Sequence, residues 1–128
     1  MTTHDLTFQD FERTISADGI VLIDFWAAWC GPCRAFAPVF EQASKRNPDI
    51  VFAKVDTEAE QELSAMAQIT SIPTLMIFRG GVCLYSQAGA LPAAALDSLI
   101  EQVRALDMGS VWAQIAASRG KAQSGPVE

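Results

Sequence analysis

The apolar positions fall into blocks, and the spacing inside each block predicts an element. The densest block is Ile20-Val-Leu-Ile-Asp-Phe-Trp26, apolar at every position but Asp24. A run of this length, rich in β-branched and aromatic residues, predicts a strand buried on both faces. Ahead of it, Thr7 is placed to cap a helix carrying Phe8, Phe11 and Ile15 at helical spacing, with Asp18-Gly19 as its end and Leu6 in a short preceding strand. Behind it, Cys30-Gly31-Pro32-Cys33 opens a helix that runs through Arg34, Phe36, Val39 and Phe40 to about Arg46. Pro32 suits the first helical turn, whereas Pro38 lies inside the helix and predicts a kink. Asn47-Pro48-Asp49 is a stop, and Ile50 to Asp56 predicts a third strand.

A further helix is expected from Thr57, with Leu63, Met66 and Ala67 on its inner side, ended by Thr70-Ser71-Ile72-Pro73. Thr74 to Phe78 predicts a fourth strand. Gly80-Gly81 is a hairpin signal, and Val82 to Ala88 predicts a fifth, more polar strand at the sheet edge. Leu91-Pro92 starts the last main helix, through Leu96, Leu99, Ile100, Val103 and Leu106. The order implies an α/β fold with a mixed sheet and helices on both faces. Beyond it, Ser110 is expected to cap a short helix at about 110–118. Its face of Val111, Trp112, Ile115 and Ala116 should pack back on the domain, whereas an exposed Trp112 would suggest a partner site. From Gly120 onward the chain reads as disordered. The organisation is therefore one domain over 1–106 and a C-terminal extension over 107–128.

Composition narrows the function classes. A chain of 128 residues is one domain with room for a real core. A net charge of -6 argues against a nucleic-acid surface, which needs clustered Lys and Arg. No apolar segment reaches membrane-spanning length, so no membrane partner is expected. The start of the chain lacks a basic region followed by an apolar stretch, and three cysteines are too few for a disulfide-stapled secreted domain. A cytoplasmic protein with reduced thiols is the expectation, although a chain already trimmed of a signal would look the same.

The cysteine pair carries the chemistry. The buried strand delivers Cys30 and Cys33 to a helix N-terminus, where unpaired N–H groups and the positive dipole end favour an anion. The thiolate is the reactive form of cysteine, so Cys30, at the very start, is expected to have a lowered pKa and to attack. Cys33, three residues on, lies over nearly the same face, and the two sulfurs can reach disulfide geometry. Cys33 can then attack a mixed disulfide at Cys30 and release the reduced substrate. A bare C-x-x-C would equally suit half of a zinc site. Here one histidine, His4, and three scattered cysteines make a poor one, and no metal is expected.

Phe25-Trp26-Ala27-Ala28-Trp29-Cys30-Gly31-Pro32-Cys33 resembles the active-site signature of the thioredoxin family, and residues from about Asp5 to Leu106 can be laid along that family's pattern. The resemblance implies the thioredoxin fold, a central five-stranded mixed sheet flanked by helices, here with a short C-terminal extension. It implies a redox disulfide between Cys30 and Cys33. Thioredoxin is itself the standard example of a reducing C-x-x-C with a lowered cysteine pKa, so neither property is an independent deduction.

Asp24 is the most informative residue after the cysteines. Burial inside an apolar strand should raise its pKa, so it could exchange a proton with Cys33. It could equally be a structural acid neutralised by Lys54 on the adjacent strand. Both positions resemble the family's buried acid and its lysine partner. Ile72-Pro73-Thr74 resembles the family segment whose cis proline faces the cysteine pair. A cis bond there would leave the Ile72 backbone open to pair with an extended substrate. Trp26 is expected as packing under the site and Trp29 as a rim contact. Ala88-Gly89-Ala90 resembles the small-residue loop that lets a partner approach. With Gly31, Pro32, Ile72 and Pro73, these residues are expected to form a flat apolar patch suited to protein substrates rather than a deep pocket. Cys83 is expected as a small buried hydrophobe and Arg34 as a solvated cation.

The reading is a protein-disulfide reductase: Cys30 as nucleophile, Cys33 resolving, Asp24 with Lys54 managing the proton. The chain shows no Gly-rich dinucleotide fingerprint, so no cofactor of its own is expected. The resemblance implies an NADPH-dependent flavoprotein thioredoxin reductase as electron donor. It implies ribonucleotide reductase, peroxiredoxin and methionine sulfoxide reductase as the kind of acceptor, for a monomer that maintains cytoplasmic redox homeostasis. A chaperone or binding module whose groove holds partners is the rival from another class, and the unusual tail leans that way. An oxidase or isomerase would use the same residues.

Overall fold

The run from Ile20 to Trp26 is the middle strand of five, and its burial follows from that position. A computed structural model describes residues 3–124 of the chain. The elements in order are β1 (Thr3–Asp5), α1 (Phe8–Ser16), β2 (Ile20–Trp26), α2 (Gly31–Arg46), β3 (Val51–Asp56), α3 (Gln61–Met66), β4 (Thr74–Arg79), β5 (Val82–Ala88), α4 (Ala93–Ala105) and α5 (Met108–Ser124). The sheet order is β1-β3-β2-β4-β5. β1, β3 and β2 run parallel, while β4 and β5 are antiparallel to their neighbours. The sheet is therefore mixed and five-stranded, and β5 lies at its edge, both as expected.

Alternation along β2 sends its apolar residues to two cores. Ile20 and Leu22 pack with Phe36, Phe40 and Ala43 of α2 and Leu96, Ile100 and Val103 of α4. Val21, Ile23 and Phe25 pack with Phe11 of α1 and Leu63 of α3. Asp24 falls on the α2 face by the same alternation, two residues after Leu22, and it is 0% exposed. Lys54 of β3 and Leu75 of β4 are its partners in register. On the α2 side, Phe40 stacks edge-on with Phe52 at 5.2 Å between ring centroids and lies 5.7 Å from Phe36.

Four local expectations are corrected. Thr7 stands at the N-cap of α1 but makes no side-chain cap, because its hydroxyl donates to Asp10 Oδ2 at 3.0 Å. α3 begins at Gln61, not Thr57: the Thr57 N–H and hydroxyl both donate to the Trp26 carbonyl, and Asp56 Oδ1 accepts from Glu58 and Ala59 N–H. Those bonds hold 57–60 in a turn, and Met66, expected inside, is exposed. Cys83 is also exposed on edge strand β5, where no further strand covers it. Partial burial still raises its thiol pKa, opposed by its contact with the Tyr85 carbonyl.

The extension departs most from expectation. α5 spans 108–124 rather than about 110–118, and its cap is Asp107, not Ser110. Asp107 Oδ1 accepts from Gly109 N–H at 3.0 Å and Ser110 N–H at 3.4 Å, and Oδ2 accepts from the Ser110 hydroxyl at 3.0 Å. Residues 120–124, expected to be disordered, continue the helix; Lys, Ala and Gln are good helix formers, and one glycine costs only about 1 kcal/mol. The rest of that expectation, 125–128, lies outside the described residues. Val111 and Ile115 are half-buried, and Trp112 is 47% exposed with its ring beside Gly80 of the β4–β5 turn. Arg79 ties the end of β4 to the carbonyls of Val103, Arg104 and Leu106, just before this helix.

Candidate active site

β2 ends at Trp26, and a four-residue loop leads to α2. Cys30 occupies the N-cap of that helix in extended conformation, Gly31 and Pro32 lie in its first turn, and Cys33 follows. The capping atom is a sulfur: Cys33 N–H donates to Cys30 Sγ at 3.1 Å. A donor aimed at sulfur favours its anionic form, in addition to the dipole of the helix. Cys30 and Cys33 are joined in a disulfide with their Cα atoms 5.2 Å apart. Both are almost fully buried, in a small cluster with Ala27, Trp26 and Ile72. Arg34, expected to be merely solvated, donates from Nη1 to the Ala28 carbonyl at 2.9 Å and so braces the loop that carries Trp29.

The loop before β4 closes over the pair. The Ile72–Pro73 peptide bond is cis. The Ile72 carbonyl oxygen lies 3.7 Å from Cys30 Sγ. Thr74 donates its hydroxyl to the Ser71 carbonyl, and Gly89 N–H donates to the Pro73 carbonyl at 2.8 Å. Ala88 pairs with Thr74, so Ala88, Gly89 and Ala90 sit beside Pro73, all exposed. Gly89 has φ +113°, a conformation that a side chain would strain. Trp29 is 67% exposed, and Trp26 is half-buried, as the sequence reading distributed them.

Asp24 is buried with no hydrogen-bond partner for either carboxylate oxygen, and Trp26 Nε1 is likewise unpaired. Desolvation by this burial pushes Asp24 from 3.8 up to about 7, and the positive charge of Lys54 pulls against it. Lys54 does not neutralise Asp24 by a direct contact: its Nζ lies over the Trp26 ring, 4.9 Å from the centroid. The chain thus carries an exchangeable disulfide at a helix N-terminus and, in the strand that leads to it, a buried acid whose pKa burial raises to about 7. Among the described residues no group of His, Cys, Asp and Glu could hold a metal ion.

Toward α3 the surface beside the disulfide dips into a shallow, open groove. This groove of about 610 Å³ runs from Trp29 and Ile72 to α3, lined also by Thr57, Glu58, Gln61 and Ser64. Apart from Trp29, its lining falls within residues 57–72, and the approach of the Trp29 loop to that stretch closes its end.

Comparison with known proteins places this geometry. The family model described as Thioredoxin matches residues 2–102. "Putative thioredoxin 2" of Streptomyces coelicolor is 51% identical over 121 residues, covering 94% of this chain and 90% of that protein. A match that long extends into α5. Thioredoxin of Alicyclobacillus acidocaldarius is 39% identical over 102 residues, 79% of this chain and 97% of that one. The solved structure of Plasmodium falciparum thioredoxin superposes with a TM-score of 0.71 at 37% identity, covering 77% of this chain and 97% of that one.

Proposed function

The chain belongs to the thioredoxin family, with Cys30 and Cys33 as the redox pair of a protein-disulfide oxidoreductase, and we propose that it works as a reductant of protein disulfides. The Cys30 thiolate attacks one sulfur of the substrate disulfide; a Cys30–substrate disulfide forms and the other substrate sulfur leaves as a thiolate, which takes a proton. Cys33, once deprotonated, attacks Cys30 Sγ, closing the Cys30–Cys33 disulfide and releasing the second substrate thiol. One substrate disulfide is reduced to two thiols as the protein's two thiols are oxidised.

The observation that carries this reading is the Cys33 N–H aimed at Cys30 Sγ, which supports Cys30 as nucleophile and Cys33 as resolving thiol. Asp24, poised near neutrality, is the proposed acceptor of the Cys33 proton, with the Lys54 charge tuning it. Trp29, Gly31, Pro32, Ile72, Pro73 and the Ala88–Ala90 segment are proposed to hold the substrate chain. Family membership supports recycling by a thioredoxin reductase. It also supports electron donation in the cytoplasm to enzymes such as ribonucleotide reductase, peroxiredoxin and methionine sulfoxide reductase.

The test is the equilibrium reduction potential of the pair against glutathione, followed by Trp fluorescence. A value near about -270 mV, the thioredoxin figure and so not an independent prediction, supports the reductant. A value near about -120 to -180 mV would make the protein an oxidase or isomerase instead.

A further inference from the structure

The groove beside the disulfide has an uneven chemistry. At the end nearest Cys30 it is apolar, with the exposed ring of Trp29 and the side chain of Ile72. Further along, Ala65 and Ile69 line it together with polar side chains, several of whose donors are already engaged. The Thr57 hydroxyl already donates to the Trp26 carbonyl at 3.0 Å, and the Ser64 hydroxyl to the Glu60 carbonyl at 2.8 Å. Gln61 Nε2 donates to the Glu58 carbonyl at 3.2 Å. Each of these groups has one donor occupied within the protein and oxygen lone pairs besides, while Gln61 keeps a second N–H. Glu58 is the one charged residue in the lining, and among the described residues its carboxylate makes no ion pair. Thr70 and Ser71 add hydroxyls that can turn either way.

An occupant that satisfies this groove has an apolar stem, a head rich in donors and a positive charge. Lysine and arginine have that form: their methylenes cover apolar surface while the head reaches polar groups, and a cation also gains from a tryptophan face. We propose that the groove receives a lysine or arginine side chain of the substrate, from a residue within about three positions of the attacked cysteine, and that Glu58 selects for it. The groove begins at Ile72, whose carbonyl lies 3.7 Å from Cys30 Sγ, and an extended chain advances about 3.3 Å per residue from a substrate sulfur held there. The inference rests on the disulfide-reductase reading and adds a charge preference to it.

The test uses synthetic peptides with one intramolecular disulfide, identical except for Lys or Glu placed within three positions of a cysteine, and dithiothreitol to recycle the protein. The readout is the ratio of kcat/KM for the Lys and Glu peptides. At low salt the ratio should be about tenfold in favour of Lys for at least one position, and it should shrink as salt rises. In Glu58→Gln it should fall several-fold toward unity, and in Glu58→Lys it should drop below one. A ratio near one in the unmodified protein, or one that ignores the charge at position 58, overturns the proposal while leaving the reductase reading intact. Reduction of neither peptide overturns both.

Discussion

Replacing Asp24 by Asn isolates the energetic cost of the buried acid. In the unfolded chain this carboxyl ionises near 3.8, whereas in the folded protein it keeps its proton to about 7. Between those values the folded state binds more protons than the unfolded state, so rising pH removes stability. Below about pH 4 both states are protonated and no penalty exists; above about pH 7 it is complete. At 1.36 kcal/mol per pKa unit, the shift of about three units amounts to about 4 kcal/mol. Asn has nearly the same shape but no proton to lose. Its amide adds an unsatisfied polar group, since the site offers the carboxylate oxygens no partner, but that cost is the same at every pH. The stability difference between Asp24→Asn and the parent should therefore move by about 4 kcal/mol toward the variant from pH 4 to pH 8. Urea unfolding of the oxidised proteins at intervals across that range measures it. A difference that stays constant with pH would falsify the burial argument, and with it the basis for Asp24 as a proton acceptor near neutrality.

Lys54→Met should raise the Asp24 pKa above about 7, since the lysine charge is the lowering influence on it; carboxyl-carbon NMR titration reads the shift directly. Asp107→Ala should cost the start of α5 about 1 kcal/mol, seen as roughly fivefold faster amide hydrogen exchange in its first turns; unchanged exchange would show the cap to be idle. Phe40→Ala empties a fully buried ring site between Phe36 and Phe52, and should lower unfolding free energy by about 3–5 kcal/mol in denaturant titration.

Much of the fold and the core of the site were legible because they depend on near neighbours in sequence. An apolar run such as Ile20–Trp26 has no stable place except the centre of a sheet, because each exposed residue would forfeit its transfer free energy. Two cysteines three residues apart at a strand-to-helix junction can meet whatever surrounds them, and the resemblance of the surrounding motif to the thioredoxin signature implied that Cys30 and Cys33 form a redox pair. Asp24 was legible as a buried acid because it lies inside that apolar run. Other features depend on how distant segments align. The strand register brings Lys54 beside Asp24, yet the final position of its Nζ, over Trp26, is a packing outcome. An irregularity in the β4–β5 pairing at Ile77/Phe78 breaks simple alternation, and the edge position of β5 leaves Cys83 uncovered, which counting residues could not show. Asp107 rather than Ser110 caps α5 because the chain turns helical earlier, placing Gly109 and Ser110 N–H on the Asp107 carboxylate, to which the Ser110 hydroxyl also donates. The groove exists only because the Trp29 loop, α3 and the Ile72 loop converge. Sequence by itself determined the strands and the buried acid, because local spacing and transfer free energy suffice for them, and the redox pair through its resemblance to the family signature. Tertiary structure alone decided what surrounds the sulfur, because register and long-range packing bring residues 29, 58 and 72 to one surface.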